Sequence, residues 1–168
     1  MFKYCPLCKE ELKNENNHYF CNGCKFDFYH TPNPASSVIL VNSKKQIYLA
    51  KRAEEPKPGL WAIPGGFIDF HESAEDAARR EIKEELGIEL TNLQFLCSFA
   101  NDYLYKGTQY YPLDIFFISK IDLEKIVPVD KKELLDGKFF YINNIPFDEF
   151  AFISQKKAID YYIKLIKN

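Results

Sequence analysis

The stretch Gly66-Phe67-Ile68-Asp69-Phe70-His71-Glu72-Ser73-Ala74-Glu75-Asp76-Ala77-Ala78-Arg79-Arg80-Glu81-Ile82-Lys83-Glu84-Glu85-Leu86-Gly87-Ile88 decides how this chain is read. Its second half is patterned as an amphipathic helix over 73–86, with Ala74, Ala78, Ile82 and Leu86 forming one apolar stripe at i+4 spacing. Ser73 is placed to cap the first turn, where Asp76 also sits, and Gly87 supplies a left-handed stop. On this helix Glu81, Glu84 and Glu85 stand at i, i+3 and i+4. At about 100° per residue they fall within one arc of roughly 100°, at the rim of the apolar stripe. Like charges at that spacing repel, so a cation is expected among them. Oxygen-only ligands favour a hard ion, Mg²⁺ first and Mn²⁺ second. Arg80 is one turn from Glu84 and can orient it. Gly65-Gly66 permit close backbone approach, and a carbonyl there can join the metal shell. Glu72 precedes the helix, where a carboxylate suits the dipole. A solvated acidic face is the competing reading of any charge run; the glycine and arginine placement speaks against it.

Upstream, Leu60-Trp61-Ala62-Ile63 reads as a short strand ending in Pro64-Gly65-Gly66, after a Pro/Gly-rich loop over 55–59. Residues 38–42 and 46–51 read as a hairpin. Downstream, 93–105 and 110–120 read as strands joined through a turn at Lys106-Gly107. A last short strand covers 139–142, and a final helix 154–167 carries Ile159, Tyr162, Ile163 and Ile166 on one face. A mixed sheet flanked by helices, an α/β fold, fits this order.

The first thirty or so residues are different in kind. Cys5-x-x-Cys8 is followed, after twelve residues, by Cys21-x-x-Cys24. Two such turns can close a tetrahedral thiolate shell, which suits structural Zn²⁺. A segment this short holds no adequate core alone, so metal is its expected staple. Residues 1–31 are therefore expected to form a zinc ribbon and 35–168 a second domain, with Thr31-Pro32-Asn33-Pro34 as a stiff linker. Cys97 is left over and reads as a buried free thiol.

The whole chain has 168 residues, 46% hydrophobic and 27% charged, with a formal net charge of -2. This composition excludes a disordered tail or a fibrous repeat. The charge balance offers no global attraction to nucleic acid or an anionic membrane. No apolar run is long enough to span a bilayer. The N-terminus lacks the apolar region of a signal peptide, so a cytoplasmic protein is expected.

Gly66, then Glu72, then Arg80-Glu81-Ile82-Lys83-Glu84-Glu85-Leu86-Gly87-Ile88 resembles an unbroken Nudix box. Trp61-Ala62-Ile63-Pro64-Gly65-Gly66 is similar to that family's lead-in, and the resemblance covers about 35–166. It implies an α/β/α sandwich with a mixed sheet, preceded here by the small ribbon. It also implies hydrolysis of a nucleoside diphosphate linked to another group. In that reading Glu81, Glu84, Glu85 and the Gly65 carbonyl hold Mg²⁺ or Mn²⁺, Arg80 braces the carboxylates, and Glu72 supports them. The general base is Glu81 or a carboxylate from a later loop: Asp130, Glu133, Asp136, Asp148 or Glu149.

A zinc ribbon ahead of such a domain is similar to the arrangement in NADH pyrophosphatases. That subfamily carries Ser-Gln-Pro-Trp-Pro-Phe-Pro after the box. Here the region reads Cys97-Ser98-Phe99-Ala100-Asn101-Asp102-Tyr103, and Trp61 is the sole tryptophan. A nucleotide-type small molecule is the expected partner: ADP-ribose, NADH, FAD, a nucleotide sugar or a (d)NTP. Arg52 is a candidate phosphate contact, and Tyr103 and Tyr105, with Tyr110 and Tyr111, are candidates to stack on a base. A nucleic-acid-binding or nucleotide-sensing module is the alternative class. In the ribbon, Lys3, Lys9, Lys13 and Lys25 are offset by Glu10, Glu11, Glu15 and Asp27, which gives nucleic acid little to grip. Homodimers are common in this family, and the sequence marks no interface.

Overall fold

The protein is described here from a computed structural model covering residues 2–167, so residues 1 and 168, the outer ends of the two expected domains, lie outside the described residues. Three short antiparallel strands, β1 (Lys13–Glu15), β2 (His18–Phe20) and β3 (Asp27–Tyr29), make a sheet in the order β1-β2-β3. It shares no strand with the main sheet. Its interior consists of Cys5, Leu12, Tyr19 and Cys21, flanked by Phe26 and Phe28. That is too little apolar area to hold strands of three residues.

The main sheet begins with β4 (Asn33–Val41) and β5 (Gln46–Arg52). Asn42 closes the intervening turn by accepting the Gln46 N–H on its Oδ1 at 2.9 Å. The two strands pair only at Val41 and Ile47 before they diverge. Into the opening come β6 (Trp61–Ala62), which pairs with β5, and β7 (Gly65–Phe67), which pairs with β4. Helix α1 (Ala74–Leu86) follows. Then come β8 (Gln94–Ala100), β9 (Tyr103–Tyr105), β10 (Thr108–Tyr110), β11 (Pro112–Lys120), β12 (Leu134–Tyr141) and α2 (Ile153–Lys167). The sheet order is β12-β5-β4-β11-β8, with β4 and β11 parallel.

Val38-Ile39-Leu40-Val41 shows no polar alternation because helices cover both faces of the sheet. Val38 and Leu40 pack with Ala78, Ile82 and Leu86 of α1, while Ile39 and Val41 pack with Ala158 and Ile159 of α2. The result is an α/β/α sandwich. The caps of α1 are as the sequence predicts: Ser73 Oγ accepts the Asp76 N–H at 3.1 Å, and Gly87 stands at φ 70. Among the described residues no helix is long and apolar enough to cross a membrane.

Four expectations need correction. Asn33 and Pro34 are not linker but open β4, opposite Pro112 and Leu113 of β11. A proline is tolerated there because it begins the strand, and its carbonyl still accepts the Ile68 N–H at 3.1 Å. Gly65-Gly66 do not end a strand but lie in a new one, β7. The segment 93–105 is broken at Asn101-Asp102, so that β9 and β10 form a separate hairpin. Lys106 and Gly107 both have positive φ there, 47 and 77, as a tight hairpin turn demands. The last strand starts at Leu134 rather than Phe139, because pairing with β5 recruits the polar residues between.

One packing detail is testable. Tyr48 is fully buried, its hydroxyl has no partner among the described residues, and a Cβ at Gly137 on the neighbouring strand would collide with that ring. Gly137→Ala is expected to destabilise the protein by about 1–3 kcal/mol in urea unfolding. Adding Tyr48→Leu, which opens space, makes the double variant less destabilised than the sum of the single ones.

Candidate active site and metal centres

At the N-terminus the two Cys-x-x-Cys turns are built alike. Lys9 N–H donates to the Cys5 carbonyl at 3.0 Å, and Lys25 N–H donates to the Cys21 carbonyl at 3.1 Å. Both lysines are left-handed, at φ 66 and 63, a conformation that costs a non-glycine residue about 1 kcal/mol or more. The repeated strain has one evident use: it turns both thiols of each pair inward. Cys5 Sγ lies 3.5 Å from Cys24 Sγ, and Cys8 Sγ lies 3.4 Å from Cys21 Sγ. All four sulfurs fall within 4.8 Å of one another, a shell that fits a tetrahedral thiolate-bound Zn²⁺. His18 is turned away, 3.2 Å from Asp27, and stacks on Tyr29.

The second cluster sits where β4 and β5 diverge. Arg80 is its frame. Its Nε and Nη2 bind both oxygens of Glu72 at 2.9 Å, Nη1 binds Glu81 at 2.7 Å and Glu84 at 3.1 Å, and Nη2 also reaches the Phe67 carbonyl at 3.1 Å. Glu72 is held below the usual carboxylate range by that fork. Glu85 is buried and accepts the Gly65 N–H on Oε2 at 3.0 Å. Gly65 stands at φ 140, where a Cβ would collide with the Ser36 carbonyl, and a Cβ at Gly66 would press on the Glu81 carboxylate that Arg80 holds.

A third carboxylate comes from outside the helix. The connection between β11 and β12 is tied to the end of α1 by Val129 N–H, which donates to the Glu85 carbonyl at 2.8 Å. The Glu133 carbonyl is fixed by the Ala53 N–H at 2.7 Å. One oxygen from each of Glu81, Glu85 and Glu133 then lies within 4.8 Å of the others. Burial, followed by the charges of Glu81 and Glu133, pushes Glu85 well above its ordinary range. Burial likewise raises Glu81, against the pull of Arg80, and raises Glu133. Three oxygen donors crowded with too little positive charge suit a hard divalent cation. Glu84 is more exposed, lines the same cleft and is held by Arg80.

The cleft has a volume of about 510 Å³, within the range of nucleotide-sized ligands. Arg52, Tyr103, Tyr105, Tyr110 and Phe152 line it as well, and Arg52 is near enough to Glu85 and Glu133 for its charge to favour theirs. Arg52 donates to the Pro56 carbonyl at 2.8 Å and lies 5.3 Å from the Phe152 ring. Tyr103 packs on Phe152 at 5.3 Å and stacks on Tyr110 at 5.5 Å. Tyr111 is exposed and Lys51 sits over Trp61; neither lines the cleft. Of the five later carboxylates, Glu133 lines it and Asp130, Asp136, Asp148 and Glu149 do not. Phe152, Asn101, Asp114 and Gln155 also line it, and no sequence pattern singles them out. Gln155 binds both the N–H and the carbonyl of Ile63, at 3.1 and 3.3 Å, tying α2 to the strand that leads into Gly65.

The NUDIX domain model matches residues 31–161. This chain belongs to the NUDIX family. Among NUDIX relatives it is 26% identical over 146 residues to the NAD-capped RNA hydrolase NudC of Vibrio vulnificus, covering 86% of this chain and 52% of that one. It is 27% identical over 150 residues to NudC of Escherichia coli, with 86% and 53% covered. The chain thus spans about half the length of these curated relatives. Its fold is similar to that of a NUDIX hydrolase from Nitrosomonas europaea, with a TM-score of 0.68, 24% identity, and 97% and 91% of the two chains covered. It is also similar to the NUDIX domain of Shewanella oneidensis NrtR complexed with ADP ribose, with a TM-score of 0.66, 17% identity, and 82% and 90% covered.

The two centres make separate predictions. Elemental analysis of protein purified without chelator is expected to find one zinc per chain, and Cys8→Ser to lose it; a zinc-free protein with four titratable ribbon thiols refutes the thiolate centre. At the acidic centre, a carboxylate raised on folding costs stability that is absent in acid and grows as pH rises past the ordinary range. In buffer without added divalent ions at neutral pH, Glu85→Gln is therefore expected to raise the Tm by about 2–4 °C. Millimolar Mg²⁺ should raise the Tm of the unsubstituted protein and leave the variant unmoved.

Proposed function

We propose that this chain hydrolyses the diphosphate bond of a nucleoside diphosphate joined to a second group, using Mg²⁺ or Mn²⁺. One observation carries the reading: a crowded carboxylate centre, a guanidinium and a group of aromatic rings line one cleft. Glu81, Glu84, Glu85 and the Gly65 carbonyl would hold the metal, with Glu133 beside them. When bound, the metal would neutralise the diphosphate and polarise phosphorus. Arg80 fixes the helix carboxylates before substrate arrives, so little reorganisation is left for the reaction. Glu81 is engaged by Arg80 and Glu85 by Gly65, whereas the Glu133 side chain has no hydrogen bond among the described residues. On this reading Glu133 is the base. It takes a proton from the attacking water, whose oxygen bonds to one phosphorus while the bridging oxygen leaves with the other phosphate.

Arg52 is positioned for the phosphates or the base, and Tyr103, Tyr105, Tyr110 and Phe152 for stacking. Tyr103 and Tyr110 lie too close to admit a ring between them, so a base would stack on an outer face. The NudC relatives are named for NAD-capped RNA, and the NrtR domain was solved with ADP ribose. Both support a substrate with an NAD-type diphosphate bridge. Residues 1–31 serve as the zinc-stapled ribbon and 35–168 as the hydrolase domain.

The test is a hydrolysis panel with Mg²⁺ and Mn²⁺ over NADH, NAD, ADP-ribose, FAD, nucleotide sugars, (d)NTPs and an NAD-capped oligoribonucleotide. Release of a nucleoside monophosphate from a diphosphate-bridged substrate is expected. Glu133→Gln should lower kcat about 10²-fold or more with KM little changed. A folded, metal-loaded protein silent on the panel, or near-full activity in the variant, overturns the assignment.

A further inference from the structure

Asp114 is an anomaly in the core of the cleft. It lies mid-sheet on β11, only 7% exposed, with Ala35 of β4 as its register partner. A carboxylate in such a place needs donors. It has two, and both meet the same oxygen. Asn101 Nδ2 donates to Oδ2 at 3.0 Å and Ser154 Oγ donates to Oδ2 at 2.5 Å. The Asn101 amide is oriented by a second bond, since its Oδ1 accepts the Asp102 N–H at 3.0 Å. Burial pushes the Asp114 carboxyl up, and the bonds from Ser154 and Asn101 pull it back.

The other oxygen, Oδ1, has no partner among the described residues. Nor is it sealed: Tyr48 Oη is the sole fully buried side-chain polar atom there without a partner, and Asp114 lines the cleft. The turn after β8, β11 itself and the start of α2 thus converge to hold one acceptor atom open to the ligand space. Folding alone has no use for this, since an apolar residue at 114 would need none of the three.

The acceptor's surroundings define what it binds. Phosphate is repelled by a carboxylate. The neighbouring surfaces, Tyr103, Tyr110, Pro112 and Phe152, are flat and apolar and suit a ring. Ala35 and Ser37 keep the sheet floor low. We propose that Asp114 is the specificity-determining residue of this cleft, its Oδ1 accepting a hydrogen bond from the exocyclic amino group of the substrate's base. A purine with an amino group at position 6 donates to that oxygen; hypoxanthine presents an acceptor at the same point, and its one donor on that edge, N1–H, is displaced by a ring position. The inference rests on reading the cleft as a nucleotide site.

The test uses AMP and IMP as probes, which differ at position 6 and in the N1 proton that goes with the 6-oxo form, with binding to the full chain followed by calorimetric titration in the presence of Mg²⁺. AMP is expected to bind at least tenfold more tightly than IMP. Asp114→Asn retains an oxygen for Asn101 and Ser154 and turns an amide N–H₂ to the cleft, so it should bring the two affinities within about twofold or invert them. Equal binding of AMP and IMP by the unsubstituted protein, or binding of neither, overturns the proposal whether or not the variant folds. A variant that weakens both probes equally, with their ratio kept, assigns Asp114 to a ribose hydroxyl and also overturns it. Because the readout is binding, discrimination without hydrolysis would refute the proposed activity and leave this inference standing.

Discussion

The guanidinium of Arg80 is the contact on which the cleft depends. It joins Glu72 before α1, Glu81 and Glu84 on α1, and the Phe67 carbonyl on β7. A planar fork with five donors can serve four acceptors at once, which a lysine cannot. Through it the loop from β7 to α1 is clamped onto the helix whose acids it presents. Glu84 remains exposed, so that pair alone contributes little stability. The value of the network lies in fixing geometry among groups that repel one another.

The sheet supplies the complementary constraint. β4 and β5 diverge after one register pair, and the gap admits β6 and β7 with their glycines. The Gly65 N–H meets the buried Glu85, and a Cβ at Gly66 would press on the Glu81 carboxylate. Burying Glu85 is expensive and its neighbours make it more so. Such a cost persists in a fold when something outside the chain relieves it, and a divalent cation is the agent that chemistry suggests.

The two candidate metal centres answer different needs. The ribbon has a core of four residues, two of them among its four thiols, so a cation held there would substitute for hydrophobic burial. The acidic centre is built on two large apolar layers that fold around α1 and α2. Its cation would serve reactivity rather than architecture.

What the sequence determined by itself was local. The apolar stripe and caps of α1 and each Cys-x-x-Cys pair lie within a helical turn or one tight turn, and Gly65, Gly66, Glu72, Arg80 and the helix glutamates follow one another along a single contiguous stretch of loop and helix. Physical rules of periodicity and capping act at that range, and the family resemblance followed from the same residues. The tertiary structure decided the rest. Glu133 joins Glu81 and Glu85 from across a loop, Phe152 completes the group of aromatic rings, and Asn101, Asp114 and Ser154 meet from three separate parts of the chain. None of these has a spacing signature, because strand register and helix docking bring them together over separations of 13 and 40 residues at Asp114 and longer ones at Glu133. Asn33-Pro34 and Gly65-Gly66 mislead for a related reason: residues that break local structure become strands when long-range pairing outweighs propensity.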